Sequence, residues 1–109
     1  MTSHLPYRAT TANGETIDVT FDLHAETRSE ADVGALLTAL LDAIDARVAA
    51  REGVSNGDVL QALAMALAVR TGIIHAPFEL LAEQSSDLLA TALAAMANAQ
   101  PRGPAAGHA

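Results

Sequence analysis

The segment from Ser55 to Gly72 constrains the fold most, because it predicts a helix that has no polar face. Ser55 is a favourable N-cap residue, and Asp58 lies three positions later, as in a variant of the capping box. Gly72 can adopt the left-handed conformation that ends many helices. Between Gln61 and Arg70 there is no polar side chain. Since a helix that is apolar all round must be covered on several sides, we expect it to be the central and most buried helix.

Strict alternation of apolar and polar residues over positions 16–23 predicts a half-buried β-strand. The apolar side chains that share one face are Ile17, Val19, Phe21 and Leu23. A lone hairpin is marginal in water, so this face must lie on the helices. The outer edge of the strand is also a candidate for pairing with a second chain.

Asn13 and Gly14, just before this strand, indicate a hairpin turn. A two-residue loop would mix polar and apolar side chains on each face of the hairpin. A three-residue loop over 12–14 separates them, and it sets Tyr7 opposite Val19 and Arg8 opposite Asp18. We therefore predict the three-residue loop, with Gly14 in the left-handed conformation.

A helix is predicted on each side of the central one. Either Thr27 or Ser29 can cap the first, which runs to about Arg51 and is ended by Gly53. Pro77 fits the first turn of the third helix, which should fade by residue 100.

The predicted fold class is α+β and mostly helical, with an N-terminal β-hairpin followed by three α-helices, the second of which is central. Residues 1–100 would form this single domain. Residues 101–109 have no apolar period and are predicted to be a disordered C-terminal tail.

Charge and composition exclude several classes of function. The net charge is −7, with six arginines and no lysine, which disfavours binding to nucleic-acid phosphates and to anionic membranes. Cysteine is absent, so disulfides and thiol catalysis are excluded. The longest uncharged apolar run, about a dozen residues, is too short to span a bilayer, and no signal peptide is recognised. We expect a cytoplasmic protein that binds neither nucleic acid nor membrane.

Residues that could carry chemistry are few. The four histidines lack the spacing of metal ligands, and the carboxylates fall on faces that should be solvated. We predict no catalytic residue, no cofactor and no metal site, and the balance favours a protein that is not an enzyme. The one candidate polar site combines Tyr7, Arg70 and His75.

The apolar residues predict self-association. Half of the chain is hydrophobic, yet three residues are aromatic and about a quarter are alanine, so the core of one chain is thin. We expect a small interaction or accessory protein, a homodimer or bound to another protein, that associates through apolar helix faces and the strand edge. The candidate interface residues are Val19, Phe21, Leu37, Leu41, Leu63 and Leu67. The alternative is a small-ligand-binding protein or modest enzyme, with a pocket between the hairpin and the helices near Arg70 and His75.

Overall fold

Two antiparallel strands, three helices and a short third strand make up the computed structural model, which describes residues 3–10 and 14–101. The elements are β1 (Ser3–Thr10), β2 (Thr16–Leu23), α1 (Glu30–Ala50), α2 (Asn56–Ile73), α3 (Phe78–Ala97) and β3 (Gln100–Pro101). The predicted α+β class, a hairpin followed by three helices, is confirmed.

The hairpin has the register that face segregation predicts. Tyr7 pairs with Val19 and Arg8 pairs with Asp18 along the antiparallel β1–β2 ladder. Gly14 has a φ of +88°, the left-handed value that the turn requires. Residues 12 and 13 of the predicted loop lie outside the described residues.

The third strand extends the sheet beyond the hairpin, in the order β1-β2-β3. Ile17 on β2 pairs with Pro101, and Asp18 pairs with Gln100. The outer edge of β2 is therefore covered over these two positions. Pro101 belongs to the sheet, whereas residues 102–109, to which the prediction of disorder mainly applied, lie outside the described residues.

Serine side chains cap the first two helices: Ser55 caps α2 as predicted, and Ser29, one of the two predicted candidates, caps α1. Ser29 Oγ accepts a hydrogen bond of 3.1 Å from the Asp32 amide, and Ser55 Oγ accepts one of 3.0 Å from the Asp58 amide. Each bond satisfies an amide that has no partner within its helix. Gly53 lies in the connector between α1 and α2 and has a φ of +84°.

The predicted left-handed end of α2 at Gly72 is wrong. Among the described glycines, Gly14 and Gly53 alone have positive φ, and α2 continues through Gly72 to Ile73. Ile74 is the C-cap of α2, and its backbone is extended. Pro77 is the N-cap of α3, one position before the first turn where it was expected.

The outer helices α1 and α3 pack on the sheet, and α2 packs mainly against α3. α1 lies against β1, while α3 lies against both β2 and α2. Thr71 is the one buried residue of α2, and Leu60 and Val69 are 68% and 65% exposed. The expected burial of α2 is therefore not provided by its own chain, because α3 covers one side of the helix and α1 makes few contacts with it.

Apolar side chains remain accessible on all three helices. Among the described residues, Val19 is the one buried apolar residue, at 5% exposure. The larger exposed apolar residues include Leu36, Leu40, Leu60, Met65, Leu80 and Leu93. The accessible surface is 8391 Å², against about 5,700 Å² for a compact monomer of 11.2 kDa. Even if all residues outside the described ranges were fully extended, they would account for about 1,800 Å² of this surface.

Candidate interaction surface

A groove between α1 and α2 has an almost entirely apolar lining; we call it the α1–α2 groove. Its volume is about 370 Å³, and its large apolar lining residues include Leu40, Ile44 and Val48 on α1 and Val59 and Leu63 on α2. The α1 residues recur every four positions, so they form one stripe along that helix. Val59 and Leu63 have the same spacing on α2. The walls of the groove are thus two helix stripes that face each other across an open space.

Two charged residues line the α1–α2 groove, one on each wall. Arg47 lies in the last turn of α1, and Asp58 lies in the first turn of α2. Both positions suit the helix dipole, which favours a cation at the C-terminal end and an anion at the N-terminal end. Sequence reasoning missed this pair as part of a site, although the available signal was opposite charge at adjoining helix ends beside two apolar stripes.

A larger cleft lies between the sheet, α1 and α3; we call it the sheet–helix cleft. Its volume is about 690 Å³. Leu5 and Phe21 line it from the hairpin, Leu37 from α1 and Leu88 from α3, and polar groups at its margin include Asp87. This cleft is where the apolar face of the hairpin meets the helices, as the alternation of 16–23 predicted.

Small side chains lie where α2 packs against α3. Thr71 Oγ1 donates a hydrogen bond of 2.8 Å to the Leu67 carbonyl and lies 3.1 Å from Ser85 Oγ on α3. Ala68 and Ala82 line the same crossing. Short side chains let the two helices approach closely there, but they leave the opposite side of α2 uncovered.

The six predicted interface residues lie on several different surfaces. Val19 is buried in the sheet of its own chain, while Phe21 and Leu37 line the sheet–helix cleft. Leu41 is half-buried on α1. Leu63 lines the α1–α2 groove, and Leu67 lies at the crossing of α2 and α3.

The three residues of the predicted polar site have separate surroundings. The Tyr7 and Thr38 hydroxyls share a hydrogen bond of 2.8 Å, which joins β1 to α1. Arg70 and His75 are exposed near the end of α2, and in the described part of the chain neither side chain forms a hydrogen bond or an ion pair. The bond to Thr38 thus gives the Tyr7 hydroxyl a partner that the sequence did not reveal.

Pairs of polar side chains join the solvent faces of the two hairpin strands. Arg8 Nε donates to Asp18 Oδ1 at 2.8 Å, and His4 Nδ1 lies 2.8 Å from Asp22 Oδ1. The hydrogen bond and charge of Asp18 raise the pKa of Arg8 above its ordinary value. These pairs stabilise the solvent face of the hairpin.

Within residues 3–10 and 14–101, no group of three or more histidine, aspartate or glutamate side chains is arranged to hold a metal ion. None of the described helices combines the length and the apolar character that crossing a bilayer requires. The α1–α2 groove and the sheet–helix cleft are lined mainly by apolar side chains, and each has charged residues in its lining. Comparison of the chain with protein-family models, with curated proteins and with solved structures finds no significant match.

Proposed function

We propose that this protein is a small acidic interaction or accessory protein, without catalytic activity, that forms a homodimer through apolar faces of its helices. The observation that carries the proposal is the exposure of large apolar side chains on α1, α2 and α3, beside a single buried apolar residue among those described. Burying one such side chain completely stabilises by about 1.5–3 kcal/mol. If several of them stay exposed to water, a domain of this size loses a large part of the stabilisation that burial would give.

The excess surface has the size of a protein interface. After the allowance for residues outside the described ranges, the chain exposes roughly 900 Å² more than a compact monomer of its mass. A stable interface buries about 800 Å² on each partner. One partner of similar size would therefore cover the excess.

The helix faces suit this association better than the sheet edges do. The outer edge of β2 is already paired at Ile17 and Asp18. The free edge strand β1 carries Pro6, which has no amide proton to offer to another strand. Self-association through a strand edge would thus be limited to a few residues.

Anionic membranes are a poor match for the same helix faces. Helices that lie on membranes carry lysine and arginine on their polar side. This chain has no lysine and a net charge of −7, and α3 carries a line of acids at Glu79, Glu83 and Asp87. A protein surface is the better complement.

Light scattering behind a sizing column, with the untagged protein diluted over a wide range, tests the proposal. We expect a species of twice the 11.2 kDa chain mass that dissociates only on strong dilution. A monomer at every concentration would overturn self-association. Vesicles of anionic lipid, tested by flotation, should not retain the protein.

A second candidate function, binding of a small apolar ligand, is favoured by the sheet–helix cleft. Its volume of about 690 Å³ lies in the range of small-molecule sites, and its lining is largely apolar. The cleft is lined by neither Arg70 nor His75, so it differs from the pocket that the sequence predicted. A monomer that binds an apolar fluorescent dye, and loses that binding on Phe21→Asp, would favour this function over self-association.

A further inference from the structure

We propose that the α1–α2 groove is closed by the same groove of a second copy, related by a two-fold axis, and that Arg47 of each copy pairs with Asp58 of the other. This inference rests on the proposed function, because it names the surface through which the homodimer forms. It places α1 and α2 of both copies in one shared helical layer.

The lining of the groove favours a protein occupant. Leu40 and Val48 are exposed on one wall, and Val59 and Leu63 on the other are only half-buried. These side chains form stripes along two helices, so a second pair of helices can pack along their whole length. Residues 102–109, in contrast, contain no large apolar side chain that could fill the groove.

The charges of the groove are self-complementary. Arg47 and Asp58 are exposed, and within the described part of the chain neither forms an ion pair or a hydrogen bond through its side chain. In a two-fold interface, a contact between two different residues occurs twice, once in each direction. A cation on one wall and an anion on the other can therefore pair reciprocally with a second copy.

Charge also selects this surface over the face of α3 that carries acids. Two copies of a chain with a net charge of −7 repel each other at long range. Glu79, Glu83 and Asp87 would bring like charges together if the α3 faces that carry them met. The α1–α2 groove has one charge of each sign, so its approach to a second copy adds no net repulsion.

Charge reversal in separate chains tests the reciprocal pair. Arg47→Glu and Asp58→Arg each place two like-charged pairs in their own homodimer, so each should weaken dimerisation by at least roughly tenfold. An equimolar mixture of the two variants forms heterodimers in which both pairs are again of opposite sign. We expect that mixture, measured by light scattering and by native mass spectrometry, to recover dimers close to the wild-type affinity.

Two control variants make the same charge changes at matched helix ends outside the groove. Arg51→Glu lies at the C-terminal end of α1, and Glu79→Arg lies in the first turn of α3. Both should dimerise like the wild type, and circular dichroism should show wild-type helix content in all four variants.

The outcomes separate this inference from the proposed function. Single variants that dimerise as tightly as the wild type would overturn the groove as the interface while leaving the homodimer intact. Weakened single variants that do not recover on mixing would show that Arg47 and Asp58 are not reciprocal partners, which also overturns the inference. A monomeric wild type would overturn both proposals.

Discussion

Thr71 on α2 and Ser85 on α3 share a hydrogen bond of 3.1 Å at the one place where α2 is buried. The Thr71 hydroxyl has a single proton, which it donates to the Leu67 carbonyl. Ser85 must therefore donate to Thr71. This short chain of hydrogen bonds fixes where the two helices cross.

Replacing Thr71 with valine should destabilise the protein by about 1–2 kcal/mol, because the half-buried Ser85 hydroxyl loses its partner. Ser85→Ala in the same chain should add little further loss, since it removes the unpaired group. Urea unfolding at one fixed protein concentration measures both variants. Losses that simply add would show that the two hydroxyls do not interact.

Replacing Gly72 or Gly53 with alanine should change the stability of the protein in opposite directions. Gly72 lies inside α2 without positive φ, and a Cβ there would meet nothing within 4 Å, so Gly72→Ala should stabilise by about 0.5–1 kcal/mol. Gly53 has a φ of +84°, so Gly53→Ala should destabilise by about 1–2 kcal/mol although space is open. Thermal melting compares the two. Destabilisation by Gly72→Ala would instead indicate that Gly72 has the left-handed conformation that the sequence predicted.

The stabilising effect of Arg8 should not depend on pH between 6 and 10. The hydrogen bond and charge of Asp18 raise the pKa of Arg8 above its ordinary value in the folded chain, so its contribution is complete below the unfolded value and is lost only as the pH rises through the higher folded value. Arg8→Gln should therefore lower the urea midpoint equally at pH 6 and pH 10, and less in 1 M NaCl.

The matched control is Arg28→Gln, which removes an exposed arginine outside the hairpin. It should change the urea midpoint less than Arg8→Gln does at low salt. An Arg8→Gln effect that vanishes by pH 10, or that salt leaves unchanged, would argue against the pair with Asp18.

Shortening the chain should separate the role of β3 from that of the residues after it. A chain that ends at Pro101 should melt like the full-length protein, since the composition of 102–109 offers little to pack. A chain that ends at Ala99 loses the pairing to Ile17 and Asp18, and should melt about 4–8 °C lower for each kcal/mol lost. Equal melting of both shortened chains would show that β3 adds no stability.

Much of the hairpin could be predicted because its constraints are local. Alternation sets which side chains share a face, and a shift of one residue would have mixed those faces, so a single register remained. The pairing of Arg8 with Asp18 followed from that register. The Ser55 cap was predictable for the same reason, since it bonds an amide three residues away, whereas the sequence left Thr27 and Ser29 as alternatives for the cap of α1.

The candidate surface was less predictable, because the partners of its residues are distant in the chain. Tyr7 was assigned to a polar site, but its hydroxyl is bonded to Thr38, 31 positions away. Val19 was assigned to an interface, but the sheet and helices of its own chain bury it. The spacing of apolar residues along a helix or strand does not show which element each apolar face packs against.

Local patterns in the chain were thus enough to predict the hairpin with its register and the three helices, since these depend on interactions between near neighbours, but they did not predict the pairing of β3 with β2. They also showed that α2 has no polar face. Which side of α2 is covered was decided only by tertiary packing, in which α3 contacts one side through Thr71 and α1 diverges to leave the α1–α2 groove open. Burial depends on how whole helices are arranged, and side-chain periodicity along one helix does not carry that information.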